Sequence, residues 1–227
     1  MNGLADDIAR QIAALELSGD RPLIVTDADE VLFRFMAGLE RFLAREGYEI
    51  RLDSFAITGN VRHAQTGEVV PPEAMRALLG GFFEAETHRL DPVDGAADAL
   101  AELSRHADIV VLSNVPLAQR TARAEALARH GMPYPLVANS GLKGLAMRQL
   151  ADRAGRPVFF LDDIPHNLAS VNEHVNDAVL IHFVADPRLR ALVPAPGVPH
   201  TPSGEWAHAR DLIAGLIERH NDRPGRK

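Results

Sequence analysis

The chain has 227 residues, 46% hydrophobic and 24% charged, an ordinary globular composition with enough apolar surface for one substantial core. Its 24 Lys and Arg against 31 Asp and Glu leave a formal charge of -7, which gives no general pull toward nucleic acid or an anionic membrane. The absence of cysteine excludes disulfides, thiolate metal sites and cysteine nucleophiles.

The opening segment, MNGLADDIARQIAAL, places Leu4, Ile8, Ile12 and Leu15 on one helical face. Acidic residues stand where a signal peptide needs a basic start, and no apolar stretch approaches the length of a membrane span. A cytoplasmic protein is expected. An apolar run at 23–26 reads as the first strand. The interval 34–90 then breaks the rhythm, with helical patterns at 36–46 and at 73–89, the latter after the Pro71-Pro72 start signal. Between them FAITGNVRHAQTGEVV, with β-rich ends and a Thr66-Gly67 turn, reads as a hairpin.

Four further apolar, mostly β-branched runs follow at 109–112, 136–138, 158–161 and 179–184. They lack strict alternation, which suits strands buried on both faces of a parallel sheet. Helix-period stretches at 120–130, 144–154 and 168–174 lie between them. The Pro-rich stretch 186–204 reads as a surface connector. The last helix, 205–220, presents Trp206, Leu212, Ile213, Leu216 and Ile217, and a frayed tail is expected over 221–227. Strand then helix, repeated, predicts an α/β fold: a Rossmann-like, doubly wound parallel sheet from 1–33 and 91–227. Residues 34–90 are expected to form a small inserted cap.

Polar residues gather where these strands end. Asp27 and Asp29 follow the first strand, Ser113 and Asn114 the second, Lys143 the third, and Asp162 and Asp163 end the fourth, with Asn167 beyond. Ligands of open parallel sheets bind at the carboxyl ends of strands, so these distant residues should converge. Crowded carboxylates repel, and a divalent cation stabilises them; an all-oxygen donor set suits magnesium. Lys143 and the Ser113 hydroxyl supply the charge and the donor that a phosphoryl group needs, and backbone N–H groups after Ser113 add more. Each piece alone reads as a turn, a helix cap or a solvated lysine. Their joint occurrence at successive strand ends is what carries the functional reading.

These segments resemble the four motifs of the haloacid dehalogenase-like superfamily: DADEVL the first, VVLSN the second, GLKG the third and FLDDIPHN the acidic fourth. The resemblance spans about residues 20–185. It implies a Rossmann-like core with a mobile cap of C1 type, and a phosphatase. Asp27 matches the nucleophile that forms an aspartyl-phosphate, and Asp29 the general acid/base. The Asp29 carbonyl, Asp27 and Asp163 match the Mg2+ ligands, with Asp162 a ligand or an outer acceptor. Ser113, the Asn114 N–H and Lys143 match the groups that hold phosphoryl oxygens. Two positions depart from the family pattern: Glu30 stands where Gly is usual, and Val31 where Thr is frequent. A longer acidic side chain there would stiffen the turn or narrow the mouth of the site. Relatives that cleave carbon–halogen or carbon–phosphorus bonds generally lack an acid at the place of Asp29, which disfavours their chemistry here.

In the insert, Arg34, Arg62 and His63 are the residues to watch for substrate contacts, and Arg34 is taken as substrate-binding. Phe82-Phe83 read as packing of the insert's own core, and His166, His174 and His182 lack a shared metal-site spacing. The expected activity is a magnesium-dependent phosphohydrolase acting on a small phosphorylated metabolite, with no nucleic-acid or membrane partner. The nearest variant is a phosphotransferase or mutase on the same scaffold. A signalling receiver domain is a rival that also combines acidic residues, a hydroxyl, a lysine and magnesium. Its acidic pair follows the first strand, whereas here Asp162-Asp163 come late. A catalytically silent binding protein is disfavoured because every expected catalytic residue is present.

Overall fold

Leu23–Thr26 (β1) is buried at all four positions, which only the middle of a sheet covered on both faces permits. The computed structural model describes residues 3–222, from a helix at Asp6–Ala13 (α1) to a helix at Trp206–Asn221. Strand β1 pairs in parallel with Asp108–Ser113 on one side and Val158–Asp162 on the other.

Between β1 and residue 90 lie two helices and a two-stranded antiparallel sheet. Phe35–Arg45 (α2) is followed by Tyr48–Ile50 (β2), Val61–His63 (β3) and Pro72–Glu86 (α3). Phe82 packs edge-on against Phe35 and Phe42, with ring centroids 5.0 and 5.7 Å away. The expected hairpin is present as a single short bridge, and β3 has a further partner. β3 pairs with β2, which precedes it by a ten-residue loop, 51–60. The Thr66-Gly67 turn is present, and the chain returns antiparallel to β3 through an Arg62–Val69 bridge, with His63 N–H donating to the Glu68 carbonyl and Val70 N–H to the Val61 carbonyl.

The rest of the chain winds the main sheet. Ala96–Leu103 (α4), Asp108–Ser113 (β4), Arg120–Arg129 (α5), Leu136–Ala138 (β5), Gly144–Ala151 (α6), Val158–Asp162 (β6), Pro165–His174 (α7) and Val179–Phe183 (β7) follow in order. Pro187–Arg190 (α8), Thr201–Ser203 (β8) and Trp206–Asn221 (α9) complete it. The strand order is β5-β4-β1-β6-β7-β8, every pair parallel. Alternate side chains of β1 feed the two cores: Leu23 and Val25 join Ile8, Ile12, Met147 and Val171 from α1, α6 and α7, while Ile24 joins Leu100, Leu127 and Ile213 from α4, α5 and α9.

The stretch expected to be a connector holds α8 and the edge strand β8. Pro202 is tolerated there because an edge strand has one side on which no N–H is needed. The expected tail lies outside the described residues from 223 onward. No helix among the described residues is long and apolar enough to cross a membrane.

Candidate active site

β1 ends at Thr26, and the chain turns at once, so Asp27 emerges at the carboxyl edge beside the ends of β4 and β6, where the strand order reverses. Asp27, Asp162 and Asp163 are all buried, and one carboxylate oxygen from each lies within 4.8 Å of the others. Lys143 answers them from below. Its buried Nζ is 2.7 Å from Asp27 Oδ1 and 2.7 Å from Asp162 Oδ2. Asp27 Oδ1 is buried, and the Lys143 ammonium is the group it faces.

The placement of Lys143 depends on the glycine after it. A β-carbon on Gly144 would fall on Ser170 and His174 of α7, so only glycine lets the start of α6 approach α7 this closely. Asp162 is saturated with donors: Ile164 N–H and Asn167 Nδ2 on Oδ1 at 2.9 and 3.0 Å, and Lys143 on Oδ2. Asp163 is held through its backbone, since its carbonyl lies 2.9 Å from Nε2 of buried His182. A carbonyl can only accept, so that ring nitrogen carries the proton.

Burial dominates the acid–base behaviour of this cluster. It pushes the Asp27 carboxyl up to about 6, with Lys143 opposing and Asp162 adding repulsion. Asp163 is pushed well above the ordinary carboxylate range by burial and then by Asp162 and Asp27. Asp29 is also raised by burial, against the opposing pull of Arg123. Arg123 Nη2 donates to Asp29 Oδ1 at 2.7 Å, and its guanidinium stacks 5.0 Å from the Phe33 ring.

Glu30 adopts a left-handed backbone, φ 57°, the conformation for which glycine is the usual residue. Its carboxylate accepts from Met36 N–H at 2.6 Å and Asp186 N–H at 3.2 Å, tying the first turn of α2 to the loop after β7. The side chain both stiffens the turn and borders the site.

Above the carboxylates lies a cavity of about 400 Å³ that Asp27, Asp29, Asn114, Lys143, Asp163 and Asn167 line at its polar end. Ser113 does not line it; that hydroxyl is buried and accepts from Val115 N–H at 3.3 Å. The Asn114 side chain is tied to Gly141 and Asn139. The basic candidates of 34–90, Arg34, Arg62 and His63, are not among the residues that line the cavity. Arg34 pairs with Asp94 at 2.7 Å, outside the cavity lining, because the chain returning from α3 brings that carboxylate beside it. Arg62 reaches the Gly67 carbonyl and His63 stacks on Tyr48 at 4.5 Å. Of the phenylalanine pair, Phe82 is core and Phe83 lines the cavity.

No protein-family model matches the chain, and no curated protein sequence matches it. Solved structures do. A HAD-family hydrolase of Deinococcus radiodurans R1, with bound phosphate and sodium, aligns over 87% of this chain and 97% of its own, at TM-score 0.56 and 16% identity. A Bacteroides vulgatus protein proposed to be a β-phosphoglucomutase aligns over 96% and 98%, at TM-score 0.54 and 14% identity. An L-2-haloacid dehalogenase aligns over 86% and 100%, at TM-score 0.51 and 14% identity. The fold is that of the haloacid dehalogenase-like superfamily. Proteins named for different reactions share it, so the choice of chemistry rests on this chain's own residues.

The resemblance of the four sequence motifs implies Mg2+, and the residues present fit it. The donors are hard carboxylate oxygens, buried and within 4.8 Å of one another. Asp162, saturated by its donors, is the organiser of Lys143 and α7; Asp27 and Asp163 would hold the ion. Sequence reasoning missed Arg123. Its signal was a charge among Ala126 and Leu127 on the buried face of α5, a position three and four residues away from each.

Proposed function

We propose that the chain is a magnesium-dependent phosphohydrolase that cleaves a small phosphate monoester through an aspartyl-phosphate on Asp27. The observation that carries this reading is the Asp27 carboxylate at the end of β1, ion-paired with Lys143 at 2.7 Å, beside Asp163 and open to the cavity. Residues 34–90 serve as a C1-type cap over the core of 1–33 and 91–227.

Asp27 attacks phosphorus in line, and the bond from phosphorus to the ester oxygen breaks as that oxygen takes the proton of Asp29. Water then gives a proton back to Asp29 and attacks the acyl phosphate, releasing inorganic phosphate and restoring Asp27. Lys143 and Asn114 hold phosphoryl oxygens, while Ser113 supports the turn beneath them. Mg2+ held by Asp27, Asp163 and the Asp29 carbonyl would neutralise charge on the carboxylates and the phosphoryl group. Asp29 favours phosphoryl transfer over dehalogenation, because a departing alkoxide needs a proton and a halide does not.

The test is phosphate release from a panel of esters with and without Mg2+, using wild type and Asp27→Asn. Release that needs the metal and falls to background in Asp27→Asn is expected. A wild type inactive on every ester, or an Asp27→Asn variant as active as wild type, refutes the reading.

A further inference from the structure

The cavity over Asp27 has two unlike ends. Its floor is charged, but the walls rising from it are hydrocarbon: Phe35 and Met36 from α2, Phe55 and Ile57 from the 51–60 loop, and Leu79 and Phe83 from α3. Phe55, Ile57, Leu79 and Phe83 are only partly covered, so they present apolar surface to whatever enters. Among the described residues no Lys, Arg or His of 34–90 lines the cavity, and Thr58 is the one polar side chain that this segment contributes. Three arginines of the segment pair with carboxylates outside the lining: Arg34 with Asp94, Arg41 with Asp91, and Arg45 with Glu86.

A sugar, nucleoside or amino-acid leaving group carries several hydroxyl, amide or charged groups. Placed against these walls they would lose water and gain no partner, which is unfavourable for each group. A hydrocarbon leaving group is favoured by the same walls, and about 400 Å³ lies in the range of ordinary small-molecule sites. Resting on the phosphohydrolase reading above, we infer that the substrate is the phosphate monoester of an apolar alcohol or phenol. Its phosphoryl group meets Asp27 and Lys143, and its hydrocarbon packs on Phe35, Met36, Phe55 and Phe83. The reaction is unchanged: the ester oxygen leaves as the free alcohol, with the proton from Asp29.

The experiment compares ethyl, butyl, hexyl and octyl phosphate with glucose 6-phosphate, and includes acetyl phosphate as a small reporter of the Asp27 chemistry. Burial of each added methylene is expected to raise kcat/KM by about fourfold until the cavity is filled. Hexyl phosphate should exceed glucose 6-phosphate by roughly 100-fold or more, a few such steps combined. Phe83→Ala, and the milder Ile57→Ser in the loop, should each lower the ratio of hexyl to ethyl turnover. A flat chain-length series, or glucose 6-phosphate turned over as well as hexyl phosphate, overturns the apolar assignment if acetyl phosphate is still cleaved with Mg2+. Failure on every ester, acetyl phosphate included, overturns the phosphohydrolase reading and this inference with it.

Discussion

Arg123 has no exposed side-chain surface, and its Nη2 donates to Asp29 Oδ1 at 2.7 Å, joining the middle of α5 to the turn after β1. Its Nε and Nη1 have no hydrogen-bond partner, so this ion pair and the Phe33 face are what hold the guanidinium. The pair fixes Asp29 at the cavity edge and favours its ionised form against the effect of burial. Arg123→Met should therefore raise the pH at which Asp29 loses its proton. The limb of the pH–rate profile that reports Asp29 should move to higher pH, while Arg123→Lys, which keeps the charge, should move it less. Removing one partner of a buried pair should also lower stability by about 3 kcal/mol. Superimposable profiles for wild type and Arg123→Met would remove Arg123 from the positioning of Asp29.

Lys143 is the buried cation that faces two carboxylates, and their attraction raises its own affinity for a proton despite burial. Lys143→Met leaves Asp27, Asp162 and Asp163 without an internal counter-charge. Its stability at neutral pH is expected to fall by about 3 kcal/mol, the usual scale for an uncompensated buried charge, with most of the loss recovered in acid. Urea unfolding at the two pH values measures this. An equal loss at both would mean that packing, not charge, dominates.

What could be read from the sequence follows from what each feature needs. Strands β1, β4, β5, β6 and β7 are legible because burial on both faces demands a continuous apolar run. β8 is Thr201-Pro202-Ser203, held by backbone pairing at an edge, and nothing in those side chains announces a strand. The charged floor is legible in the same way, since Asp27, Lys143 and Asp163 each follow a strand of the sheet and Asp162 ends one. Arg123 is not, because an arginine on a charged helix reads as solvated until the fold shows which face is covered. The partner of Arg34 is equally illegible for a long-range reason: Asp94, 60 residues later, is what it pairs with. Arg34→Ala should accordingly change KM for small and large esters alike.

Glu30 offers a test of a strained turn. Its left-handed backbone is unfavourable for any β-carbon by roughly 1 kcal/mol, yet its carboxylate makes two hydrogen bonds from backbone N–H groups. Glu30→Ala keeps the strain and removes those bonds, so a loss of about 2 kcal/mol is expected. Glu30→Gly removes both and should be the more stable of the two variants by about 1 kcal/mol. Thermal unfolding decides. An alanine variant at least as stable as the glycine variant would show that the turn is not strained.

Burial holds the Asp27 carboxyl at about 6 and Asp163 well above its ordinary range, whereas both titrate near 4 in an unfolded chain. Between about pH 4 and pH 6 the folded protein therefore keeps protons that the unfolded chain has released. The slope of stability with pH follows the protons bound unfolded minus folded, which is negative, so these groups make the metal-free protein less stable as pH rises through that window. For Asp27 alone the change is roughly 3 kcal/mol. Mg2+ binds the folded, deprotonated cluster and not the unfolded chain, so it should restore stability by mass action. The rise in Tm on adding Mg2+ should thus be larger at about pH 8 than at about pH 5. Asp163→Asn removes one of the repelling charges and one ligand together. It is expected to be more stable than wild type in EDTA at about pH 8, and to respond little to Mg2+. Paired thermal scans of both proteins, with EDTA or Mg2+ at each pH, measure all of this. If Mg2+ raises Tm equally at both pH values, or if Asp163→Asn is the less stable protein in EDTA, the buried carboxylates are not held apart by charge and the cluster is not the cation site.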